Sequence, residues 1–274
     1  MKNTIKFITL LVTVLLFSSC TEVVEVALKT AEPKLVIDAS ITWQKGTAGN
    51  NQTIKLSKTT DYYTNSIPAV SGATVFVKNS SNVVFNFIEK SNTGVYECAN
   101  FVPVIDERYF LTIISEGQTY TATETLKSVA AITTVTQEIQ SGFGTNFLKL
   151  KTFFNDPANT ENYYLYKFKF SKNAKPQYAL DDDLFFEGNT FFSLILEENT
   201  KAGEQVAITH YGVSKDYFDY MNILLNASGS LGSGPFQSPP VTVKGNIINQ
   251  TNSENYPFGY FRLSEADVKN YTIQ

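Results

Sequence analysis

Few side chains in this sequence are equipped for bond-making chemistry: two cysteines, Cys20 and Cys98, and a single histidine, His210. A Ser-His-Asp site needs only one base, so His210, in Ala207-Ile208-Thr209-His210-Tyr211 at the end of a strand-like run, is formally sufficient. No Gly-x-Ser-x-Gly elbow is present to expose a serine, and no nucleophile signature surrounds Cys98, so a non-enzymatic chain is expected. Zinc sites draw on several His and Cys ligands, more than this chain offers. Calcium takes oxygen ligands, and Asp181, Asp182 and Asp183, with Glu187 just after, form the densest acidic cluster. Successive carboxylates of an extended chain point to opposite sides, so these four reach one ion only if a loop folds around it. EF-hand spacing is absent, and a solvated acidic loop is expected, with calcium as the alternative. The glycine-rich run Gly229-Ser230-Leu231-Gly232-Ser233-Gly234-Pro235 lacks the lysine of a phosphate-binding loop and suits a flexible or partner-binding connection. No cofactor is expected.

Binding chemistry is better represented than catalysis. Tyr62, Tyr63, Tyr163 and Tyr164 stand near expected loops, as do Tyr178 and Tyr211. Tyrosine joins apolar area to a hydrogen-bonding tip, which suits recognition surfaces, although core packing is its ordinary use in β proteins. The first four are the candidate ligand-binding residues.

Cys20 has a different context. Lys2 and Lys6 precede an apolar run broken only by Thr9 and Thr13, and Leu16-Phe17-Ser18-Ser19-Cys20 follows. A basic head, a short apolar stretch and a small-residue exit have the anatomy of a secretory signal, residues 1–19. The run is shorter than the roughly 20 residues needed to span a bilayer. The exit resembles the bacterial lipobox, in which the cysteine is acylated and the chain is cut before it. Two or three acyl chains then give stable membrane attachment. Residues 20–32 are expected to be the lipidated tether. Once Cys20 is acylated, Cys98 has no partner for an intramolecular disulfide and is expected to be a buried, inert thiol.

Removing residues 1–19 takes away two lysines and moves the formal charge from −4 to −6. An acidic chain with 18% charged residues lacks the basic footprint of nucleic-acid binding. At 43% hydrophobic and 14% aromatic it has ample material for a packed core.

The elements that must hold these residues are mostly strands. Residues 35–43, 52–58, 73–77, 83–89, 94–96, 109–114 and 119–123 are short runs rich in branched and aromatic residues, separated by turn residues. They predict an N-terminal antiparallel β-sandwich, immunoglobulin-like or transthyretin-like, over residues 33–127. Glu116-Gly117-Gln118 reads as a compact hairpin loop. Residues 128–136 read as a connection to a second β-rich domain, 128–274, with strands at 147–154, 163–170, 185–186, 191–196 and 205–210 and short ones in the tail. The exception is residues 214–227, where Tyr217, Phe218, Met221, Leu224 and Leu225 recur at helical spacing behind Ser214 as N-cap.

The order of motifs carries a resemblance. After the lipobox come Glu32-Pro33-Lys34-Leu35-Val36-Ile37, Val70-Ser71-Gly72-Ala73-Thr74-Val75, and Gly117-Gln118-Thr119-Tyr120-Thr121-Ala122. Asn155-Asp156-Pro157-Ala158 follows, then Tyr217-Phe218-Asp219-Tyr220, Gly245-Asn246-Ile247 and Gly259-Tyr260-Phe261. Together these resemble a Bacteroidetes lipoprotein family known as domain of unknown function 4249, over nearly the whole mature chain. The resemblance implies an outer-membrane lipoprotein, on the periplasmic face or at the cell surface, that is often encoded beside a TonB-dependent receptor. It carries no functional residues with it. Glu22 and Glu25, just after Cys20, are similar to the acidic surface-export signals of such lipoproteins. The expected function is thus a non-enzymatic envelope protein that assists a TonB-dependent transporter or captures its ligand. An adhesive surface module that binds glycans or other cells is the alternative.

Overall fold

The computed structural model describes residues 31–61, 64, 66–142, 145–229 and 242–274, and among these are fifteen strands and one helix. In β1 (Leu35–Gln44) the side chains of Leu35, Ile37, Ala39 and Ile41 are buried while those between them face outward, and β2 (Gln52–Lys58) repeats this with Ile54 and Leu56. Side-chain period two gives each strand one core face. The same rule governs β3 (Thr74–Asn79), β4 (Val84–Glu89), β5 (Val95–Cys98), β6 (Arg108–Ser115) and β7 (Gln118–Thr125). The hydrogen-bonded order β1-β2-β5-β4-β3-β6-β7 curls this sheet around one core, where Ile37 and Ile54 meet Val77, Tyr96 and Leu111. Glu116 and Gly117, with φ of 50° and 73°, make the two-residue turn between β6 and β7 that suits the right-handed strand twist. The buried phenols are tied down: Tyr96 donates to the Val70 carbonyl and Tyr109 to that of Val102, at 3.0 and 2.8 Å.

The second half adds strands to this sheet and a smaller sheet against it. β10 (Tyr163–Phe170), β11 (Gln177–Asp182), β13 (Gln205–Val213) and β15 (Phe258–Thr272) extend the first sheet past β1 in the order β11-β10-β13-β15-β1. β8 (Ile132–Gly142), β9 (Thr145–Asn155) and β12 (Thr190–Glu198) form a separate three-stranded sheet, and β14 (Ile248–Asn249) pairs with β7. A second core joins Leu148, Leu150 and Phe154 of the small sheet to Tyr166, Phe168 and Ile208 of the large one. The fold is mainly β, as expected.

Three local expectations fail for physical reasons. Residues 132–136, read as part of a connection, open β8 (Ile132–Gly142), whose apolar residues are too sparse to announce a strand and which is held by its ladder to β9. Phe185 and Phe186 do not form a strand; they sit in the turn between β11 and β12, with Phe186 in the core and Phe185 92% exposed. β15 is far longer than its apolar portion, because backbone pairing continues through Glu265, Asp267 and Lys269.

β15 links the two halves. Residues up to Ala266 pair in parallel with β1, and those from Ala266 onward pair antiparallel with β13. The stretches 33–127 and 128–274 therefore share one continuous sheet, and Pro33–Gln274 forms one compact unit. Short of β13, the Asn246 amide brackets Phe261, accepting from its N–H and donating to its carbonyl at 2.9 Å each, and so completes the strand's open side.

Helix α1 (Lys215–Ala227) covers the opposite face of β10, β13 and β15, burying Tyr217, Met221 and Leu225 against Leu165, Val213 and Tyr260. Its N-cap Ser214 accepts from Tyr217 N at 3.3 Å and donates to Glu124 of β7 at 2.9 Å. Ser214→Ala removes both bonds and is expected to cost about 1–2 kcal/mol, read from the urea midpoint. An unchanged midpoint would refute the cap's role. No helix among the described residues is long and apolar enough to cross a membrane.

Candidate functional site

The residues singled out from sequence do not form one site. Cys20, Tyr62 and Tyr63 lie outside the described residues, as do residues 230–235 of the glycine-rich run. Tyr164, expected near a loop and open to ligand, is only 1% exposed: strand alternation turns it into the second core, where it donates to Asp156 at 2.5 Å. Tyr163, its neighbour, faces the other way, packs on Phe218 and donates to Glu161.

The acidic cluster is divided in the same manner. Asp181 and Asp182 are the last residues of β11 and so point to opposite sides, while Asp183 is buried and accepts from Asn162 N at 2.6 Å. Glu187 accepts from Asn159 N at 2.9 Å. The expected acidic loop is thus half strand, and the carboxylates of Asp182, Asp183 and Glu187 accept from backbone N–H groups of turns and loops. Among the described residues no three His, Cys, Asp or Glu side chains group as metal ligands.

His210 is fully buried among Tyr166, Phe154 and Tyr164, with the Tyr166 ring stacked at 4.2 Å. Burial pulls its pKa down to about 3, the Ala130 carbonyl opposing weakly. Cys98 is buried and unpaired; its Sγ faces Asn100 Oδ1 at 3.1 Å and burial pushes the thiol pKa up.

A different set of residues converges beneath α1. On β15, Tyr260, Arg262 and Ser264 share the face opposite Phe261 and Leu263, which belong to the first core. Arg262 is only 5% exposed. Its guanidinium lies 4.8 Å from the Tyr211 ring centre and 5.5 Å from that of Tyr217, and its Nη2 donates to Thr42 of β1 at 3.0 Å. Its Nε and Nη1 have no partner, nor does the hydroxyl of Ser264. A ring face attracts the flat side of the cation, by about 1–2 kcal/mol when desolvated, but leaves its N–H edges unmatched. Each buried donor left unpaired costs about 1–3 kcal/mol, so this arrangement is expensive unless something completes it.

Tyrosines surround this group. Tyr211, Tyr178 and Tyr220 are half-buried, and Tyr217 is buried. Burial raises the pKa of Tyr178 and Tyr217, with the Asp38 carboxylate adding to it and Arg262 opposing it; that of Tyr220 is pushed up to about 12. All three phenols are therefore neutral donors at ordinary pH. Asp38 of β1 is exposed at the rim and accepts from Ser40 at 2.8 Å. Tyr178 and Tyr211 were visible in the sequence as aromatics near loops. Arg262 was missed, and its one signal was a lone cation alternating with apolar residues in Tyr260-Phe261-Arg262-Leu263.

Fold and site together define a curled, mainly β protein whose helix covers a tyrosine-ringed arginine. The chain belongs to the family described as "Domain of unknown function (DUF4249)", matched over residues 21–270. No curated protein matches it. Among solved structures, it is similar to a two-domain fibronectin type-III segment of chicken tenascin, at 10% identity over 66% of this chain and 90% of that one, with a TM-score of 0.22. A DUF4785 family protein from Legionella pneumophila is similar at 13% identity over 65% and 51%, with a TM-score of 0.23.

Proposed function

We propose that this chain is a non-enzymatic, lipid-anchored protein of the outer membrane that captures a small ligand for a TonB-dependent receptor beside it. The observation that carries the reading is Arg262: a nearly buried cation with unpaired N–H groups, roofed by half-exposed tyrosines, is a recognition device. His210, the one histidine, is sequestered in the other core and held neutral by its burial, which leaves acid–base catalysis without its usual agent. The lipobox-like Leu16-Phe17-Ser18-Ser19-Cys20 supports attachment through Cys20, and the family resemblance supports the receptor partner and its location.

The test is recovery of a complex. Tagged full-length protein, extracted from native membranes in gentle detergent, is expected to bring an outer-membrane receptor with it, and Cys20→Ala is expected to lose both membrane retention and that receptor. Repeated recovery of the intact protein alone would overturn the receptor partnership, and membrane retention of the Cys20→Ala chain would overturn the anchor.

A further inference from the structure

We propose that the Arg262 site takes a small organic monocarboxylate, its carboxylate on the guanidinium edge and its flat body against the tyrosine rings; this specifies the ligand of the capture reading above and rests on it. The donor inventory is the first argument. Arg262 Nε and Nη1 together carry three N–H bonds with no acceptor, and Nη2 alone is engaged, with Thr42. Tyr178, Tyr211 and Tyr217 cluster around it, and Ser264 adds a buried hydroxyl without a partner. A site so rich in donors fits a ligand group that only accepts, as an ionised carboxylate does.

Charge narrows the choice. Among the described residues, Arg262 is the cation set against the rings of Tyr211 and Tyr217, while the Asp38 carboxylate stands near the phenols of Tyr178 and Tyr217. Asp38 itself is exposed at the rim, where solvent and salt screen its charge. A single buried guanidinium charge matches a monoanion better than a phosphate dianion. Shape narrows it further. The guanidinium is planar, and the ring centres of Tyr211 and Tyr217 lie 4.8 and 5.5 Å from its central carbon, so a flat ligand held on its edge would meet the same rings.

Isothermal titration of the full-length protein in detergent with benzoate, its neutral isostere benzamide, and inorganic phosphate tests this on the wild-type chain. Benzoate is expected to bind at least about tenfold more tightly than either of the others, since benzamide lacks the charge and phosphate exceeds it. Tyr178→Phe is expected to weaken benzoate several-fold with the thermal midpoint unmoved, and Arg262→Lys, which keeps charge but loses the planar fork, to abolish the preference over benzamide. Equal binding of benzoate and benzamide, tighter binding of phosphate, or no heat from benzoate at millimolar concentration would overturn the carboxylate assignment. A receptor still recovered in that event leaves the partnership standing, whereas benzoate bound by a chain that recovers no receptor sustains the site and removes the partner.

Discussion

Replacing His210 with phenylalanine is expected to flatten the acid limb of this protein's stability profile. In the folded chain burial holds the imidazole pKa down to about 3, against 6.5 for a free side chain. A depressed pKa in the folded state means that the unfolded chain binds the proton better. The stability that His210 contributes is therefore complete above pH 6.5 and is lost as pH falls from 6.5 toward 3. At pH 5 the loss is about 2 kcal/mol, and it is the same for any folded pKa below about 4.5. Glu124 and Asp181 act in the opposite sense, since burial raises their pKa values and their protonation favours the folded state. Comparing urea unfolding at pH 7.5 and pH 5 in wild type and His210→Phe cancels those shared contributions. The phenyl ring keeps the stack on Tyr166, and any packing cost from its larger volume is the same at both pH values. Wild type should lose about 2 kcal/mol more than the variant between the two pH values, and equal losses would show that His210 gains access to protons without unfolding.

A larger effect is expected from a single methyl group at Gly259. This residue opens β15 opposite Ile37 of β1 with φ of 100°, a backbone region that side chains disfavour. A Cβ there would lie 2.0 Å from the Ile37 carbonyl oxygen, and on the other side the Gly259 carbonyl oxygen would stand 1.7 Å from a Cβ at Gly245. Both neighbours are backbone held in place, one by the β1–β15 ladder and the other by the Asn246 bracket on Phe261. Gly259→Ala is expected to cost about 4 kcal/mol or more, enough to unfold a marginal domain. Gly46→Ala is the control, because Gly46 also has positive φ, 79°, but nothing within 4 Å of an added Cβ. It should cost about 1 kcal/mol, the backbone strain alone. Urea midpoints of the two variants separate strain from collision, and near-equal midpoints would mean that β1 and β15 move apart at little cost.

How much of this was legible in the sequence varies with the range of the interaction responsible. The strands of the first core were readable because Ile37, Ile54, Val77 and Leu111 each lie in a period-two run, and a local pattern reports a local element. Helix α1 was readable for the same reason, with Ser214 marking its start. β8 was not, since of its apolar residues only Ile132 and Val135 pack on the second core and no periodic run marks the strand that its ladder to β9 holds. Among site residues, Tyr178 and Tyr211 stood out by residue type as aromatics near loops, outside the four candidate ligand-binding residues. Tyr164 was misread because the side to which a tyrosine points depends on register, and a one-residue change of register exchanges core and surface.

By its residues alone the sequence determined the mainly β class, the helix behind Ser214 and the poverty of catalytic side chains. Each follows from composition or from a pattern within a dozen neighbouring residues. The tertiary structure alone decided that β15 bridges the two halves of the chain, that His210 is walled into a core, and that Arg262 lies beneath tyrosines drawn from β11, β13 and α1. Thr42 and Arg262 are 220 positions apart, and only the parallel pairing of β1 with β15 brings them to 3.0 Å. Pairing over such a separation leaves no periodic trace in either segment, so the candidate binding site became visible only once the sheet had closed.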